Sequence, residues 1–347
     1  MSNNTIAQVE FEVLAEIGQE GRNSQVYRIN DVALSAEMVM KKIPKGHFSD
    51  PDSYFDEARV LYDIRHPNVV EVNYACQDQD FVYITMPFYE KGSLSKLMQQ
   101  KFLTVREIIR YAVQFLSGLH HIHSLGLMHF DLKPDNIMLS DRNEAMLSDF
   151  GLAKYMDDYG FTTPKAFYRK HIAPEATEQQ LFSVEFDIYQ AGLTLYRMCL
   201  GSAAFNAQYD IYCQGGQFNK PLFELNLRNG TFPDRGAYPE HIPEKLRTVI
   251  NRCLNVQPDQ RYPAVIDIIN AIADIDENYL DWEYSKDGDI QKWSKKTSSG
   301  TLQCLEVCAA GNANAYKISS VGRRTNTAKY TKRAIGKRDM KRFFKGI

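Results

Sequence analysis

Two short segments hold polar residues at spacings that could do chemistry. The first is His129-Phe130-Asp131-Leu132-Lys133-Pro134-Asp135-Asn136, and the second, 13 residues after Asn136, is Asp149-Phe150-Gly151. Carboxylates, a lysine and an amide gathered in this way suit phosphoryl transfer. That reaction needs a carboxylate to orient the acceptor hydroxyl, a cation on the γ-phosphate and two ligands for Mg²⁺, all on a rigid scaffold. Between the segments, NIMLSDRNEAMLSDFG reads as two four-residue apolar strands about a polar Asp-Arg-Asn-Glu turn. Either segment alone is a weak signal. Joined by such a hairpin they are a strong one.

The elements that must position these segments divide the chain. FEVLAEI (11–17) and QVYRI (25–29) flank a Gly/Asn/Ser-rich centre and predict a hairpin, and MVM (38–40), HPNVVEV and DFVYITMPF predict further strands. DSYFDEARVLYDI (52–64) places Phe55, Ala58, Leu61 and Tyr62 on one helical face. From Ser93 the pattern turns helical: SLSKLMQQ, then TVREIIRYAVQFLSGLHHIHSLG, closed by Gly126, with later helices predicted over 184–200, 244–254 and 264–275. Periodicity fades near Asn278, and TSSG (297–300) reads as a linker.

The run from His129 to Asn136, followed by Asp149-Phe150-Gly151, resembles the catalytic and magnesium loops of the eukaryotic-type (Hanks-type) serine/threonine protein kinase family. Further matches extend the resemblance over residues 11 to about 275. They are Lys41 after alternating apolar residues, Glu57 in a helix beginning near Asp52, His66-Pro67-Asn68, Ala173-Pro174-Glu175 and Asp187-Ile188-Tyr189-Gln190-Ala191-Gly192. The resemblance implies an α+β, bilobal protein-kinase fold. A small β-rich N-lobe with one helix would span 1–90, a larger, mainly α C-lobe 91–276, and a linker with a basic tail 277–347. It implies Asp131, Lys133 and Asn136 as catalytic residues, and Asn136 and Asp149 as ligands of Mg²⁺. Lys41 would hold the α- and β-phosphates of ATP, with Glu57 as its ion-pair partner. Gly18, Gly21 and Ser24 would form the phosphate loop. Val26 and Val39 would roof the adenine pocket, Met138 would floor it, Met86 would back it, and Pro87, Phe88 and Tyr89 would supply the hinge strand. Glu175 would pair with Arg261, and Asp187 would hydrogen-bond the catalytic-loop backbone.

The sequence departs from the family pattern in three places. Gly18 falls one residue early for the first glycine of the phosphate loop, and Ser24 stands at the third glycine position. Phe130 replaces the arginine that in many family members binds a phosphate on the activation segment, so neither Thr162 nor Thr163 is expected to be an obligatory switch through that contact. Before Ala173, Tyr168 stands where a threonine is expected and Lys170 is more like tyrosine kinases, whereas Lys133 resembles serine/threonine kinases. The expected activity is ATP- and Mg²⁺-dependent phosphorylation of a protein substrate on Ser or Thr. Alternatives are a tyrosine or dual-specificity kinase, and a pseudokinase scaffold acting by binding. Retention of Lys41, Glu57, Asp131, Lys133, Asn136 and Asp149 argues against the scaffold.

Composition bounds the rest. The 347 residues are 44% hydrophobic and 24% charged, a globular balance with no apolar stretch of bilayer length, and the start lacks the basic and apolar regions of a secretory signal. The expected location is cytoplasmic, and six mostly scattered cysteines fit a reducing compartment. Cys304 and Cys308 are close together, but no histidine follows His241 to complete a zinc set. The net charge of −2 conceals a split: residues 292–347 hold 14 Lys and Arg against Glu306 and Asp339, leaving 27 cations and 41 acids in residues 1–291. A tail so charged, with Tyr330, Ile335, Met340, Phe343 and Phe344 interleaved, is either a solvated extension or, over 301–347, a contact for a polyanion or for the acidic body itself. Arg323-Arg324-Thr325 is a candidate self-phosphorylation site within it.

Overall fold

A computed structural model describes residues 8–18, 24–47, 50, 53–275 and 277–346. The chain opens with β1 (Phe11–Gly18), β2 (Gln25–Asp31), β3 (Ala36–Pro44), β4 (Tyr74–Gln77) and β5 (Phe81–Pro87), an antiparallel sheet in the order β1-β2-β3-β5-β4. Alternation along β3 sends Met38 and Met40 to one face, against Ile29 and Tyr83. It sends Val39, Lys41 and Ile43 to the other, where Ile43 meets Ala58 and Ile84 beneath α1 (Asp56–Asp63). The helix therefore begins at Asp56; Asp52, where it was expected to start, lies outside the described residues.

HPNVVEV (66–72) is not the strand its three valines suggest. Residues 66–69 form a turn, and the following backbone is claimed by the C-terminal half: Val70 N donates to Leu147 O (2.9 Å) and Leu147 N to Asn68 O (2.8 Å). The strand that pairs with β5 starts two residues later, at Tyr74.

Helices dominate from Leu94. α2 (Leu94–Gln100) and α3 (Val105–Ser124) come first, and α3 opens with a reciprocal cap in which Thr104 and Glu107 satisfy each other's backbone donors. Short pairs follow: β6 (Leu127–Met128) with β9 (Lys154–Tyr155), and β7 (Ile137–Leu139) with β8 (Ala145–Leu147). This second pair is the hairpin between the two chemical segments, with three-residue strands. α4 (Glu185–Leu200) is buried along almost its whole length. α7 (Glu244–Cys253) packs on α4 so closely that a Cβ on Gly192 would lie 2.5 Å from Cys253 Cβ, so the glycine is needed for the approach. Between these helices lie α5 (Ser202–Asp210), the hairpin of β10 (Cys213–Gln214) and β11 (Gln217–Phe218), and α6 (Lys220–Arg228); α8 (Val265–Ala273) follows α7. None of α5, α6 or the β10–β11 hairpin was expected from periodicity.

The largest correction concerns residues 277–347, read as a linker and tail. β12 (Glu283–Asp287), β13 (Ile290–Lys296), β14 (Leu302–Val307), β15 (Ala313–Ile318) and β16 (Arg324–Asn326) form a five-stranded antiparallel meander, closed by α9 (Lys337–Lys345). TSSG is the turn between β13 and β14: Thr297 N donates to Thr301 O and Gly300 adopts φ +78°. Met340, Phe343 and Phe344 recur at i, i+3 and i+4 and are buried against Trp282, Trp293, Leu305 and Tyr330. They are the core of a small folded unit.

That unit is docked on the helical part. The buried Trp293 Nε1 donates to His241 Nδ1 (2.9 Å), Arg106 grips Asp281 with two hydrogen bonds (2.6 and 3.0 Å), and Lys341 pairs with Glu244 (2.7 Å). Among the described residues no helix is long and apolar enough to cross a membrane.

Candidate active site

The two chemical segments meet beneath the N-terminal sheet because α4 fastens the first of them from behind. Asp187, fully buried, accepts from His129 N and Phe130 N, both at 2.8 Å, and from His123 Nε2 at 2.8 Å. Burial opposes its charge, but these donors, His123 first, keep its pKa below the usual carboxylate range. One turn on, Gln190 accepts from Leu132 N (3.0 Å) and donates to Phe130 O (2.9 Å) and His171 O (3.1 Å). The loop is thus tied by side chains at Phe130 and Leu132, and Phe130 itself sits at φ +64°. A non-glycine residue holds this conformation only where its surroundings over-determine it.

Asp131 emerges between these anchors. Its Oδ2 accepts from Lys133 Nζ (2.7 Å) and Asn136 Nδ2 (2.9 Å), while Oδ1 is buried without a partner. Burial pushes its pKa up, and Lys133 pulls it down by less than the burial raises it. Asn136 spends its amide N–H on Asp131, leaving Oδ1 buried and likewise unpartnered. Lys41 Nζ lies 2.7 Å from Glu57 Oε1 and 3.2 Å from Asp149 Oδ1, joining the sheet, α1 and the second segment in one ion-pair chain. Burial disfavours its charge, but Asp149 and Glu57 outweigh that and hold its pKa above the ordinary lysine value. In return the Lys41 ammonium holds the Asp149 carboxyl down at about 2.

A cleft of about 420 Å³ opens above this group. Its lining includes Gly18, Ser24, Val26, Val39, Lys41, Glu57, Met86, Pro87, Phe88, Tyr89, Asn136, Met138 and Asp149, so the structure brings together most of the residues expected at a nucleotide site. Gly21 lies outside the described residues. Asp131 and Lys133 stand beside the cleft rather than among its lining residues. Ile17 and Val70 also line it and were missed, because nothing in a β-former at a strand end or turn marks it as a wall.

The expected pair Glu175–Arg261 is fully formed, with two contacts of 2.7 Å. Other fasteners were missed. His171, buried, accepts a hydrogen bond from Arg197 and donates through Nδ1 to Leu132 O (3.1 Å), tying the loop before Ala173 to the catalytic segment. A polar residue inside the apolar run DIYQAG was the available sign of Gln190.

Phe130 occupies no polar site. It is fully buried against Phe182 and Phe186, with Phe167 completing the cluster. Thr162 is bridged to Phe182 by two backbone hydrogen bonds of 2.9 Å, and Thr163 Oγ1 donates to Gln180 O (2.8 Å). Apolar packing and backbone bonds hold the segment here.

The donors fit a nucleotide with a divalent cation. Asn136 Oδ1 is an unsatisfied hard oxygen and Asp149 an ionised carboxylate beside it, the ligand type Mg²⁺ takes.

The sequence profile of the protein kinase domain matches residues 11–269. A probable serine/threonine-protein kinase of Clostridium acetobutylicum is 25% identical over 282 residues, 80% of this chain and 41% of that protein. The probable serine/threonine-protein kinase samkA of Dictyostelium discoideum is 33% identical over 196 residues, 54% of this chain and 28% of that protein. Serine/threonine-protein kinase AtPK1/AtPK6 of Arabidopsis thaliana is 29% identical over 256 residues, 73% of this chain and 52% of that protein. The matched part of this chain thus spans about half or less of each relative.

Proposed function

Because this chain belongs to the protein kinase family, we propose that it transfers the γ-phosphoryl group of ATP to a protein hydroxyl, on serine or threonine. The observation that carries the reading is the pair of buried, unpartnered oxygens, Asp131 Oδ1 and Asn136 Oδ1. Such groups cost about 1–3 kcal/mol each if nothing ever meets them, and an acceptor hydroxyl and a cation are what they suit.

In this reading the acceptor hydroxyl donates to Asp131 Oδ1. Its oxygen bonds to the γ-phosphorus as the bond to the β–γ bridging oxygen breaks, and its proton passes to Asp131. The raised pKa of Asp131 makes it a better base than an exposed aspartate. Lys133, 2.7 Å from Asp131 Oδ2, keeps that carboxylate in orientation and brings a cation to the transferred group. Lys41, aimed by Glu57, holds the α- and β-phosphates, and the apolar walls Val26, Val39 and Met138 exclude water around the base. A magnesium ion held by Asn136 and Asp149 would neutralise phosphate oxygens.

Serine/threonine specificity is supported by Lys133 and by the names of the relatives. Binding alone, as a scaffold, is disfavoured by a complete polar set in bonded contact. A cytoplasmic setting belongs to the same reading, supported by cysteines that are all free thiols. A polyanion partner for the basic tail does not, since Lys337 and Lys341 face Glu240 and Glu244.

The test is transfer from labelled ATP with Mg²⁺ to the full chain itself and to a generic protein substrate. Lys41→Ala and Asp149→Ala should each lower the rate by at least about 10²-fold with little loss of thermal stability. Near wild-type transfer by a folded Lys41→Ala protein would remove Lys41 from the site. Lys42 would not replace it easily, since its ammonium lies over the Phe81 ring.

A further inference from the structure

The loop just before Ala173 carries two cations that no acid neutralises among the described residues. Lys133 and Arg197, nearby, face Asp131 (2.7 Å) and Asp135 (3.6 Å). Arg169 and Lys170 make no ion pair among the described residues, although residues 1–291 hold 41 acids against 27 cations.

They are nevertheless held in place. The Arg169 guanidinium lies 4.3 Å from the centre of the Phe218 ring, and Lys170 Nζ lies 4.9 Å from that of Tyr209 and 3.2 Å from Asn206 Oδ1. Tyr209 and Phe218 stack at 5.6 Å, and Phe223 braces both at 5.5 Å. The shelf is built by α5, the β10–β11 hairpin and α6. Two charges laid on a rigid aromatic surface have already lost much of their side-chain freedom, so a partner that meets them loses less on binding.

Their position relates them to the reaction. Tyr168, the preceding residue, lays its ring 4.2 Å from Lys133 Nζ, and Lys133 is 2.7 Å from Asp131 Oδ2. A chain that presents a hydroxyl to Asp131 therefore passes within a residue or two of Arg169 and Lys170, at about 3.3 Å of reach per extended residue.

We infer that Arg169 and Lys170, on the shelf of Tyr209 and Phe218, select protein substrates with an anionic side chain, carboxylate or phosphate, close to the acceptor hydroxyl. This rests on the kinase reading of the same site. Tyr168 separates the specificity cations from the catalytic lysine, so an acidic substrate residue can be bound without drawing Lys133 away from Asp131.

The experiment uses the full chain and a serine-acceptor peptide array in which each flanking position is in turn Asp, phosphoserine, Ala or Lys. Wild type should favour an anion at one or two positions by about tenfold in kcat/KM, equivalent to about 1.4 kcal/mol. Comparing the Asp and phosphoserine arms identifies which anion is preferred. In the double variant Arg169→Gln, Lys170→Gln the ratio of acidic to neutral peptide should fall towards one, with the change in KM rather than kcat. Arg169→Glu, Lys170→Glu should turn the preference towards Lys at the same positions, a gain that loss of folding does not produce.

Wild-type transfer with no anionic preference, or a preference unchanged in both double variants, overturns the inference and leaves the kinase reading intact. An equal loss of rate on all peptides, absent once Thr162 and Thr163 are alanine, also overturns it, because the cations would then be reading the chain's own phosphothreonine. Failure to phosphorylate any peptide or protein would remove the kinase reading, and the inference with it.

Discussion

Replacing Phe130 separates two ways of holding the segment between Asp149 and Glu175. The ring is fully buried, 5.3 Å from Phe186 and 6.2 Å from Phe182. Phe130→Leu keeps the site apolar but loses two aromatic pairs of about 0.5–1.5 kcal/mol each and leaves a small cavity, about 1.5–3 kcal/mol in all. At about 2–4 °C per kcal/mol for a domain of this size, the melting temperature should fall by about 3–12 °C. Phe130→Arg should be worse, above about 3 kcal/mol, because the guanidinium would enter a pocket of Phe167, Phe182 and Phe186 with no carboxylate to meet it. Both variants retain a side chain at φ +64°, so backbone strain cancels from the comparison. In parallel, Thr162→Ala with Thr163→Ala removes the Thr163 hydroxyl bond to Gln180 O, about 0.5–1.5 kcal/mol, and no buried contact of Phe130. Its transfer rate should stay within about threefold of wild type, against a loss of about 10²–10⁴-fold for Asp131→Ala. The assays are thermal melting and initial rates with labelled ATP. An arginine variant as stable as wild type, or a threonine double variant as inactive as Asp131→Ala, would show that the segment is held by a phosphate and would refute the packing argument.

Two further outcomes follow from the site and from the docked C-terminal unit. Burial raises the Asp131 pKa and Lys133 lowers it by less, so the acid limb of kcat/KM should lie above the ordinary aspartate range and rise as Asp131 ionises. In Lys133→Gln the lowering partner is gone, and the limb in the pH–rate profile should move to higher pH; a limb that stays or moves down would take the base role from Asp131. Trp293→Ala should cost about 3–5 kcal/mol, because the ring is fully buried and its N–H is bonded to His241. Calorimetry should find the main transition lowered; an unmoved main transition with a separate early one would mean that the unit does not share a core with the helical part.

The candidate site was legible because its chemistry demands particular residue types at short spacings. Asp131, Lys133 and Asn136 lie within six residues, and a hairpin of fixed length separates them from Asp149, so no long-range contact had to be inferred to group them. Lys41 and Glu57 were legible for the family resemblance they extend, since a lysine on a strand and a glutamate on a helix carry no signal alone. What escaped depends on contacts between distant parts. HPNVVEV has strand composition, but Asn68, Val69 and Val70 pair with Leu147, a partner nearly 80 residues away that no local pattern reveals. Gln190 and His171 also act across the fold, and the sequence marks them only as polar residues beside apolar ones.

The C-terminal unit escaped for a different reason, because its charge obscured its periodicity. β13 reads IQKWSKK, with one large apolar residue on the buried face, and the register Trp293–Leu305–Ala315 that builds that face is spread over three strands. In α9 the stripe of Met340, Phe343 and Phe344 has helical spacing, yet it stands among five cations and reads as a basic segment with interleaved aromatics. Charge on such a helix describes only the face turned outward, and two of those cations, Lys337 and Lys341, reach Glu240 and Glu244. The 14 Lys and Arg that residues 292–347 set against two acids, facing an acidic remainder, are thus in part the electrostatic half of a docking surface. Its apolar half is Trp293 with Tyr284 on His241 and Phe102. Exposed ion pairs of this kind are worth about 0–1 kcal/mol each, so the tryptophan and its buried neighbours fix the unit, and the charges set its orientation.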